Sequence, residues 1–168
     1  MQWYTKDVII DPSDAAQNTW YVGTSSTWGM GASNVHGGLY KTTNRGGAWT
    51  LIYSGDSVES AAVNPNDGNE LYVTTVTSGL QYSGNARQTT PTFTALTAYP
   101  FRNPKRVYFN PYNANEVWVA SNGNGLRVGT SAAAPAVIPT VQEWGLLILA
   151  ALMAGYAMLR LDLRGVRR

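Results

Sequence analysis

Short apolar runs alternate with turn-forming residues over the first 130 positions, and one such pattern occurs three times. Each copy has an apolar strand, an Asp-Pro or Asn-Pro turn, and a second strand marked by an aromatic pair. The copies are DVIIDPSDAAQNTWYVGT from Asp7, ESAAVNPNDGNELYVTTV from Glu59 and KRVYFNPYNANEVWVASN from Lys105. Because proline and short polar residues bend the chain between strand-forming runs, each copy predicts a β-hairpin.

A third strand follows each hairpin and opens with Gly-Leu. It starts as GLYKTT at Gly38, as GLQYS at Gly79 and as GLRVG at Gly125. The first two copies continue into a fourth strand, in which Trp49 and Phe93 stand at matching places. The repeating unit is therefore four short strands.

The spacing of the repeats predicts the architecture. The anchoring prolines Pro12, Pro65 and Pro111 lie 53 and 46 residues apart. Four short strands in a repeat of that length are typical of a β-propeller blade. A β-sandwich with accidental internal similarity is the alternative, but it does not explain three proline-anchored hairpins that are each followed by Gly-Leu.

The third copy ends after its third strand, because the following TSAAAPAVIP is small, contains proline and has no strand pattern. The sequence thus predicts an all-β partial β-propeller, two four-stranded blades plus most of a third, over residues 1–130. A linker over 131–137 and a C-terminal segment over 138–168 follow. Since so few blades cannot close a ring, we expect an open stack with exposed edges at both ends. The missing outer strand and the absence of a visible signal peptide both suit a fragment that lacks its beginning.

The C-terminal segment contains an apolar run followed by arginines. Residues 144–159 are 16 positions without a charge, about 24 Å as a helix against a hydrocarbon core of roughly 30 Å. A buried core helix, a membrane span and a tag that is later removed are the competing interpretations. The run lacks the polar stripe of a helix packed on a sheet. The arginines that follow it predict one transmembrane helix with its C-terminal end in the cytoplasm and the blades outside.

Composition narrows the function classes. Only 13% of the residues are charged, whereas Tyr numbers 10 and Trp 6, a balance typical of secreted or surface β-proteins. The last nine residues carry +3 of a net charge of +2, so the rest of the chain is at −1 and no nucleic-acid partner is expected. The absence of cysteine excludes a disulfide framework and a thiolate metal site. We expect no metal and no cofactor.

The turn after the third strand of copy one resembles a known motif. TTNRGGAW, from Thr42 to Trp49, is similar to the Asp-box (BNR) pattern Ser/Thr-x-Asp-x-Gly-x-x-Trp, with Asn44 in place of the usual Asp. In such a turn a short polar side chain caps backbone amides, Gly46 permits a positive φ and the tryptophan is buried. Copy two has a degenerate version in SGN, residues 83–85. The motif stabilises a hairpin and catalyses nothing.

Asp-boxes occur in sialidases, xyloglucanase-type glycoside hydrolases, sortilin-like receptors and photosystem assembly factors. Residues 5–129 are most similar to bacterial surface propellers of the xyloglucanase-like kind. The resemblance implies the fold more firmly than an activity. Glycosidases of this architecture need two positioned carboxylates, and sialidases also need clustered arginines and a nucleophilic tyrosine. Neither set of motifs has a match in this sequence, so we expect no catalytic residue.

Antiparallel connectivity places possible ligand contacts on one rim. In each blade the loop between strands two and three shares a face with the connection to the next blade, opposite the Asp-box turn. Residues 24–37, 54–59 and 98–105 therefore meet, and their side chains suit stacking on sugars and hydrogen bonding to hydroxyls. Packing of the aromatic residues in their own loops and solvation of the carboxylates are the alternatives. The candidate contact residues are Trp28, His36, Asp56, Glu59, Tyr99, Phe101 and Arg102.

The start of the C-terminal segment is similar to the IPTL-type C-terminal sorting signal (IPTL-CTERM) of Gram-negative bacteria, although Val141 stands where Leu is usual. The resemblance implies a transient membrane anchor that an exosortase-like transpeptidase cuts before the body reaches the cell surface. A plain single-span anchor is the alternative. The residues that carry the resemblance are Ile138, Pro139, Thr140, Glu143, Trp144 and Gly145.

The sequence therefore predicts an exported, cell-surface-sorted propeller fragment that acts as a non-catalytic surface or carbohydrate-binding module. The alternative is the C-terminal part of a xyloglucanase- or sialidase-like glycoside hydrolase whose catalytic residues lie in missing N-terminal blades. A purely structural adhesin is a third option. The expected partners are the membrane, the sorting transpeptidase and a polysaccharide.

Overall fold

The computed structural model describes residues 4–25, 37–131 and 153, and its strands form three antiparallel sheets in chain order. Sheet A consists of β1 (Tyr4–Ile10), β2 (Trp20–Ser25), β3 (Gly38–Thr42) and β4 (Thr50–Tyr53). Sheet B consists of β5 (Val58–Asn64), β6 (Asp67–Thr75), β7 (Leu80–Ser83) and β8 (Thr94–Ala95). Sheet C consists of β9 (Pro104–Asn110), β10 (Asn113–Ser121) and β11 (Gly125–Thr130).

The predicted repeat is confirmed strand by strand. β1 and β2, β5 and β6, and β9 and β10 pair as antiparallel hairpins. The third strands begin at Gly38, Leu80 and Gly125, at or directly after the glycine of each Gly-Leu step. Trp49 and Phe93 directly precede the fourth strands of sheets A and B. The all-β class is therefore confirmed over residues 4–25 and 37–131.

The chain divides into two compact units, Met1–Ala133 and Ala134–Arg168, and the three sheets lie in the first. Of the transmembrane helix predicted over 144–159, the structure describes Met153 alone, so this prediction is not tested. Among residues 4–25, 37–131 and 153, no helix has the length and apolar character that a membrane span requires.

The Asn-Pro turns owe their shape to the side chain before the proline. The side-chain oxygens of Asp11, Asn64 and Asn110 each accept the backbone N–H two residues further on, at 2.8, 2.8 and 2.9 Å. In sheets B and C the amide group of the asparagine also donates to a glutamate six residues later, Glu70 or Glu116. The turn residues that the sequence pattern singled out thus close the hairpins by local hydrogen bonds.

Sheet B is packed on both of its faces. On β5, Ala61 and Val63 belong to the cluster shared with sheet A, whereas Ala62 belongs to the cluster shared with sheet C. On β6, Leu71 and Tyr72 divide in the same way. Because successive side chains of a strand point to opposite faces, a strand buried on both sides carries consecutive apolar residues, as β5 does over residues 61–63 and β6 over residues 71–73.

The first strands of the three sheets lie side by side. β5 contacts both β1 and β9. Ser60 Oγ donates to the Asp7 carboxylate at 2.7 Å, and Arg106 Nη1 lies 3.6 Å from the same group. These strands line a groove of 460 Å³, as the innermost strands of neighbouring propeller blades line a central channel.

A buried ammonium group also joins sheets A and B. Lys41 of β3 donates to the backbone carbonyls of Ala86 at 2.7 Å and Arg87 at 3.0 Å, in the connection between β7 and β8. Its side chain lies over the ring of Tyr21, with 6.0 Å between Nζ and the ring centroid. Burial lowers the pKa of Lys41, and the carbonyl groups supply the partners that a buried charge needs.

Two glycines test this packing, Gly23 in the second strand of sheet A and Gly129 in the third strand of sheet C. A Cβ at Gly23 of β2 would lie 2.8 Å from Val58 Cγ1 across the interface of sheets A and B, whereas one at Gly129 of β11 would meet nothing within 4 Å. Val58 is fully buried and stiff, so Gly23→Ala should lower the free energy of unfolding by about 1–3 kcal/mol. Gly129→Ala, the control, should change it by less than about 0.5 kcal/mol. Equal values from denaturant titration would contradict the stacking of sheets A and B.

Candidate functional site

The connection between sheets A and B lies against the loop between β6 and β7. In that connection, Asp56 accepts hydrogen bonds from the backbone N–H groups of Thr77 at 2.6 Å and Ser78 at 2.8 Å, and from Thr77 Oγ1 at 2.9 Å. The N–H of Val76 donates to the carbonyl of Ser57 at 3.0 Å. The two segments therefore share one rim, which antiparallel connectivity predicted.

The same relation holds one sheet further along. The hydroxyl of Tyr99, in the connection between sheets B and C, is hydrogen-bonded to Ser121 Oγ at the end of β10. The N–H of Asn122 donates to the carbonyl of Asn103 at 3.0 Å. The same arrangement therefore occurs twice along the rim. In each case the connection between two sheets is hydrogen-bonded to the loop between the second and third strands of the sheet that follows.

Both oxygens of Asp56 are engaged in this arrangement, because Oδ1 also accepts from the N–H of Ser57 at 2.7 Å. Desolvation raises the pKa of the Asp56 carboxyl, but the hydrogen bonds from Thr77 and Ser78 outweigh it and leave the pKa below its ordinary 3.8. A carboxylate stabilised in this way holds the rim together. The Asp56 carboxylate therefore has a structural role, because it holds two segments of the rim together, and it is not a free acid or base.

An aromatic and cationic cluster lies where sheets B and C meet. The rings of Tyr99 and Phe101 are in edge contact, with centroids 5.6 Å apart. The guanidinium carbon of Arg127, in β11, lies 5.1 Å from the centroid of the Phe101 ring. Tyr99 and Arg127 line a cavity of 540 Å³, together with apolar side chains that include Leu96 and Val119. Aromatic walls with a few polar groups are typical of small-ligand sites.

The remaining candidates divide differently. Glu59 is paired with Lys105, with 3.1 Å between Oε1 and Nζ, so it joins the first strands of sheets B and C. Arg102 is exposed. Trp28 and His36 lie outside the described residues. The structure therefore brings together Tyr99 and Phe101, and it gives Asp56 and Glu59 separate structural partners.

The turn that resembles an Asp-box lies at the opposite end of the strands from the rim. Thr42 Oγ1 donates to Asn44 Oδ1 at 2.8 Å and accepts from the N–H of Gly46 at 3.0 Å. Asn44 Oδ1 also accepts from the N–H of Ala48 at 2.8 Å, and Gly46 has a φ of 90°. A Cβ at Gly46 would meet the ring of Trp49 at 3.6 Å, so the glycine and the tryptophan are in contact.

Copy two repeats these hydrogen bonds in a longer turn. Ser83 Oγ is bonded to Asn85 Oδ1 at 3.0 Å, and the N–H of Thr92 donates to the same oxygen at 2.9 Å. Thr92 precedes Phe93 as Ala48 precedes Trp49. The segment that looked degenerate in sequence therefore keeps two of the three hydrogen bonds described for the first turn.

Chemically, the cavity side chains can stack on an apolar sugar face and donate hydrogen bonds to hydroxyl groups. In residues 4–25 and 37–131, no group of three or more His, Asp or Glu is placed to hold a metal ion. Sequence reasoning missed Arg127. Its position corresponds to Tyr40 in copy one and Gln81 in copy two, counted from Gly-Leu, so the repeat itself carried no sign of a charge there.

Comparison with known proteins finds one similarity for the C-terminal segment and another for the β-sheet body. The family model of the IPTL-CTERM motif matches residues 136–168. Among solved structures, the GH74 enzyme of Niastella koreensis is similar at 21% identity with a TM-score of 0.56, over 80% of this chain and 23% of that one. An ancestral GH74 enzyme is similar at 21% identity with a TM-score of 0.55, over 76% of this chain and 17% of that one.

These likenesses bear on the fold and on the sorting motif. The chain spans about a quarter or less of the GH74 enzymes that it resembles, and its sheets follow the propeller-like arrangement of those proteins. No curated protein matches the chain in sequence. The IPTL-CTERM motif is present, which confirms the resemblance drawn from residues 138–145.

Asp56 provides a test of the rim. Asp56→Ala should lower the free energy of unfolding by about 1–2 kcal/mol, because four N–H or O–H donors lose a charged acceptor at a partly exposed site. Asp56→Asn keeps the shape and removes the charge. Since the folded pKa is lowered, the carboxylate stabilises the fold above pH 3.8 and loses this effect as pH falls through the folded pKa. The stability gap between wild type and Asp56→Asn, measured by urea titration, should therefore shrink below pH 4. A stability difference that is constant with pH would contradict this structural role of the Asp56 carboxylate.

Proposed function

We propose that this chain is a non-catalytic module that is exported, sorted to the cell surface and able to bind polysaccharide. Its body comprises residues 1–130, its linker 131–137 and its sorting segment 138–168. The cavity beside Tyr99 and Arg127 is the observation that carries the binding proposal. The IPTL-CTERM match supports the sorting proposal.

The character of the cavity favours a neutral polymer as ligand. Its lining is mainly apolar and aromatic, and Arg127 supplies hydrogen-bond donors at one side. Sugar rings present apolar faces for stacking and hydroxyl groups for such donors. The rim loops that flank the cavity are fixed by the hydrogen bonds of Tyr99 to Ser121 and Asn122 to Asn103. A fixed site loses little entropy when it binds.

The paired turns at the other end support a place among Asp-box propellers. In both, the oxygen of an asparagine accepts the N–H of the residue before an aromatic side chain. Thr42, Asn44, Gly46 and Trp49 serve in this proposal as structural residues. They fix the outer hairpin of sheet A, and with it the end of the blade.

The second candidate is the C-terminal part of a glycoside hydrolase. The likeness to GH74 enzymes favours it, since a longer chain would contribute further blades. In this version the catalytic carboxylates lie in those blades, because Asp56 and Glu59 are bound to Thr77, Ser78 and Lys105. The cavity of the present chain would then bind part of the polymer beside the reacting bond.

The sorting segment gives the proposal its location. An apolar run with arginines after it inserts with those arginines in the cytoplasm, so the body faces outward. The inner membrane holds the chain until an exosortase-like transpeptidase cuts near Ile138, Pro139 and Thr140. The body then passes to the cell surface.

Binding is tested on xyloglucan by affinity electrophoresis. Arg127→Ala and Tyr99→Ala should each weaken retardation by roughly tenfold, about 1.4 kcal/mol, through lost hydrogen bonds or stacking. Tyr112→Ala is the matched control, because Tyr112 is 96% exposed and lies in the turn between β9 and β10, away from the rim. Thermal melting should show that the Arg127 variant keeps the wild-type fold. Equal retardation of all three variants and the wild type would contradict a site in the cavity.

Sorting is tested by mass spectrometry of the mature C-terminus in a Gram-negative host that has an exosortase-like enzyme. The wild-type body should lack residues 144–168, and simultaneous Ala substitution of Ile138, Pro139 and Thr140 should leave the full tail in the inner membrane. Val141→Leu restores the usual residue of the motif and should be processed at least as well as the wild type. A wild-type protein that keeps its tail at steady state would show a permanent anchor instead.

A further inference from the structure

Each sheet presents the same side chains to the sheet that follows it. In sheet A, Tyr21 of β2 and Leu39 of β3 pack toward sheet B, and both are fully buried. In sheet B, the residues at the same places of the repeat, Tyr72 and Leu80, pack toward sheet C and are 3% and 6% exposed. We call this side of a sheet its forward face.

The forward face of sheet C carries side chains at the corresponding places, but no other sheet of the described residues covers it. Trp118 takes the place of Tyr21 and Tyr72, and Leu126 takes the place of Leu39 and Leu80. Tyr108, Trp118 and Val128 stand opposite one another across the three strands. Leu126 is 48% exposed, Val128 57% and Tyr108 39%. Contiguous exposed apolar side chains of this kind mark interaction surfaces.

The opposite side of sheet A is likewise not covered by any other sheet of the described residues. Its first strand carries Val8 and Ile10, four and two residues before the turn proline. The corresponding residues of sheet B are Ala61 and Val63, which are each 3% exposed because they pack on sheet A. Val8 and Ile10 are 54% and 46% exposed. We call this side the rear face.

We propose that the forward face of sheet C binds the rear face of sheet A in a second copy of this chain. The contact is a third instance of an interface that the chain already forms twice, between sheets A and B and between sheets B and C. The two faces are different surfaces of one molecule, so the association is head to tail. Two copies joined at both ends would form a ring of six blades, within the range of four to eight that propellers adopt.

The repeat specifies which residues meet. At the interface of sheets B and C the rings of Tyr72 and Phe109 are in edge contact, with centroids 5.8 Å apart. Trp118 occupies the place of Tyr72, and Ile10 occupies the place of Phe109, each two residues before its proline. Trp118 of one copy therefore packs on Ile10 of the next. The two residues belong to different faces of each copy.

The absence of cysteine in the chain makes this contact directly measurable by cross-linking. Ile10→Cys and Trp118→Cys are prepared separately in the full-length chain in detergent, mixed, and treated with a short bismaleimide. The mixture should give a covalent dimer, whereas either variant alone should stay largely monomeric on a denaturing gel. Tyr112→Cys, which is more accessible than either of those positions but lies in the turn between β9 and β10, on neither face, should give no dimer with either variant.

A second measurement does not depend on cysteine. Val128→Asp places a charge on the forward face at an exposed position, so it should convert a dimer to a monomer in sedimentation and halve the protein mass, while circular dichroism stays that of the wild type. Tyr112→Asp should leave the dimer intact. A wild type that is monomeric throughout leaves both faces to blades outside this sequence, and cross-linking of either cysteine variant to itself indicates symmetrical pairing. Either result overturns the proposal.

Discussion

The described part of the molecule depends on the burial of sheet B between two others. β5 and β6 contribute side chains to both apolar clusters, and burial of each large aliphatic side chain stabilises the fold by about 1.5–3 kcal/mol. Sheets A and C are each covered on one side by sheet B. Their other sides expose Val8 and Ile10 in sheet A and Leu126 and Val128 in sheet C. The arrangement is therefore an unclosed stack, and its stability is greatest at its centre.

Much of this fold could be predicted from local signals. An Asn-Pro turn needs only a side chain that bonds to its own backbone, so Asn64 and Asn110 reveal their hairpins in sequence. The Gly-Leu steps marked the third strands for a similar reason, since a glycine and a buried Leu39 or Leu80 recur at one register. The partners of the buried Lys41 were not predictable, because the carbonyls of Ala86 and Arg87 come close only when two sheets stack.

The positions of the loop segments were predictable from connectivity, but the partners of their side chains were not. Connectivity alone predicted that residues 54–59 and 98–105 lie on one rim. It could not show that Thr77 and Ser78 donate hydrogen bonds to Asp56, or that Lys105 pairs with Glu59. Those contacts join segments far apart in the chain. Arg127 was missed because its place in the repeat is held by Tyr40 and Gln81 elsewhere, so only the stacking of sheets B and C shows it beside Phe101.

Native-state hydrogen exchange measures the central claim most directly. β6 is paired on both edges, with β5 and β7, and covered on both faces. Its backbone amides should therefore exchange only through global unfolding of the three sheets. β11 has one hydrogen-bonded neighbour in its sheet and exposed side chains throughout, so its outward N–H groups should exchange much faster. Equal protection of β6 and β11, or faster exchange in β6, would contradict a stack held together at its middle sheet.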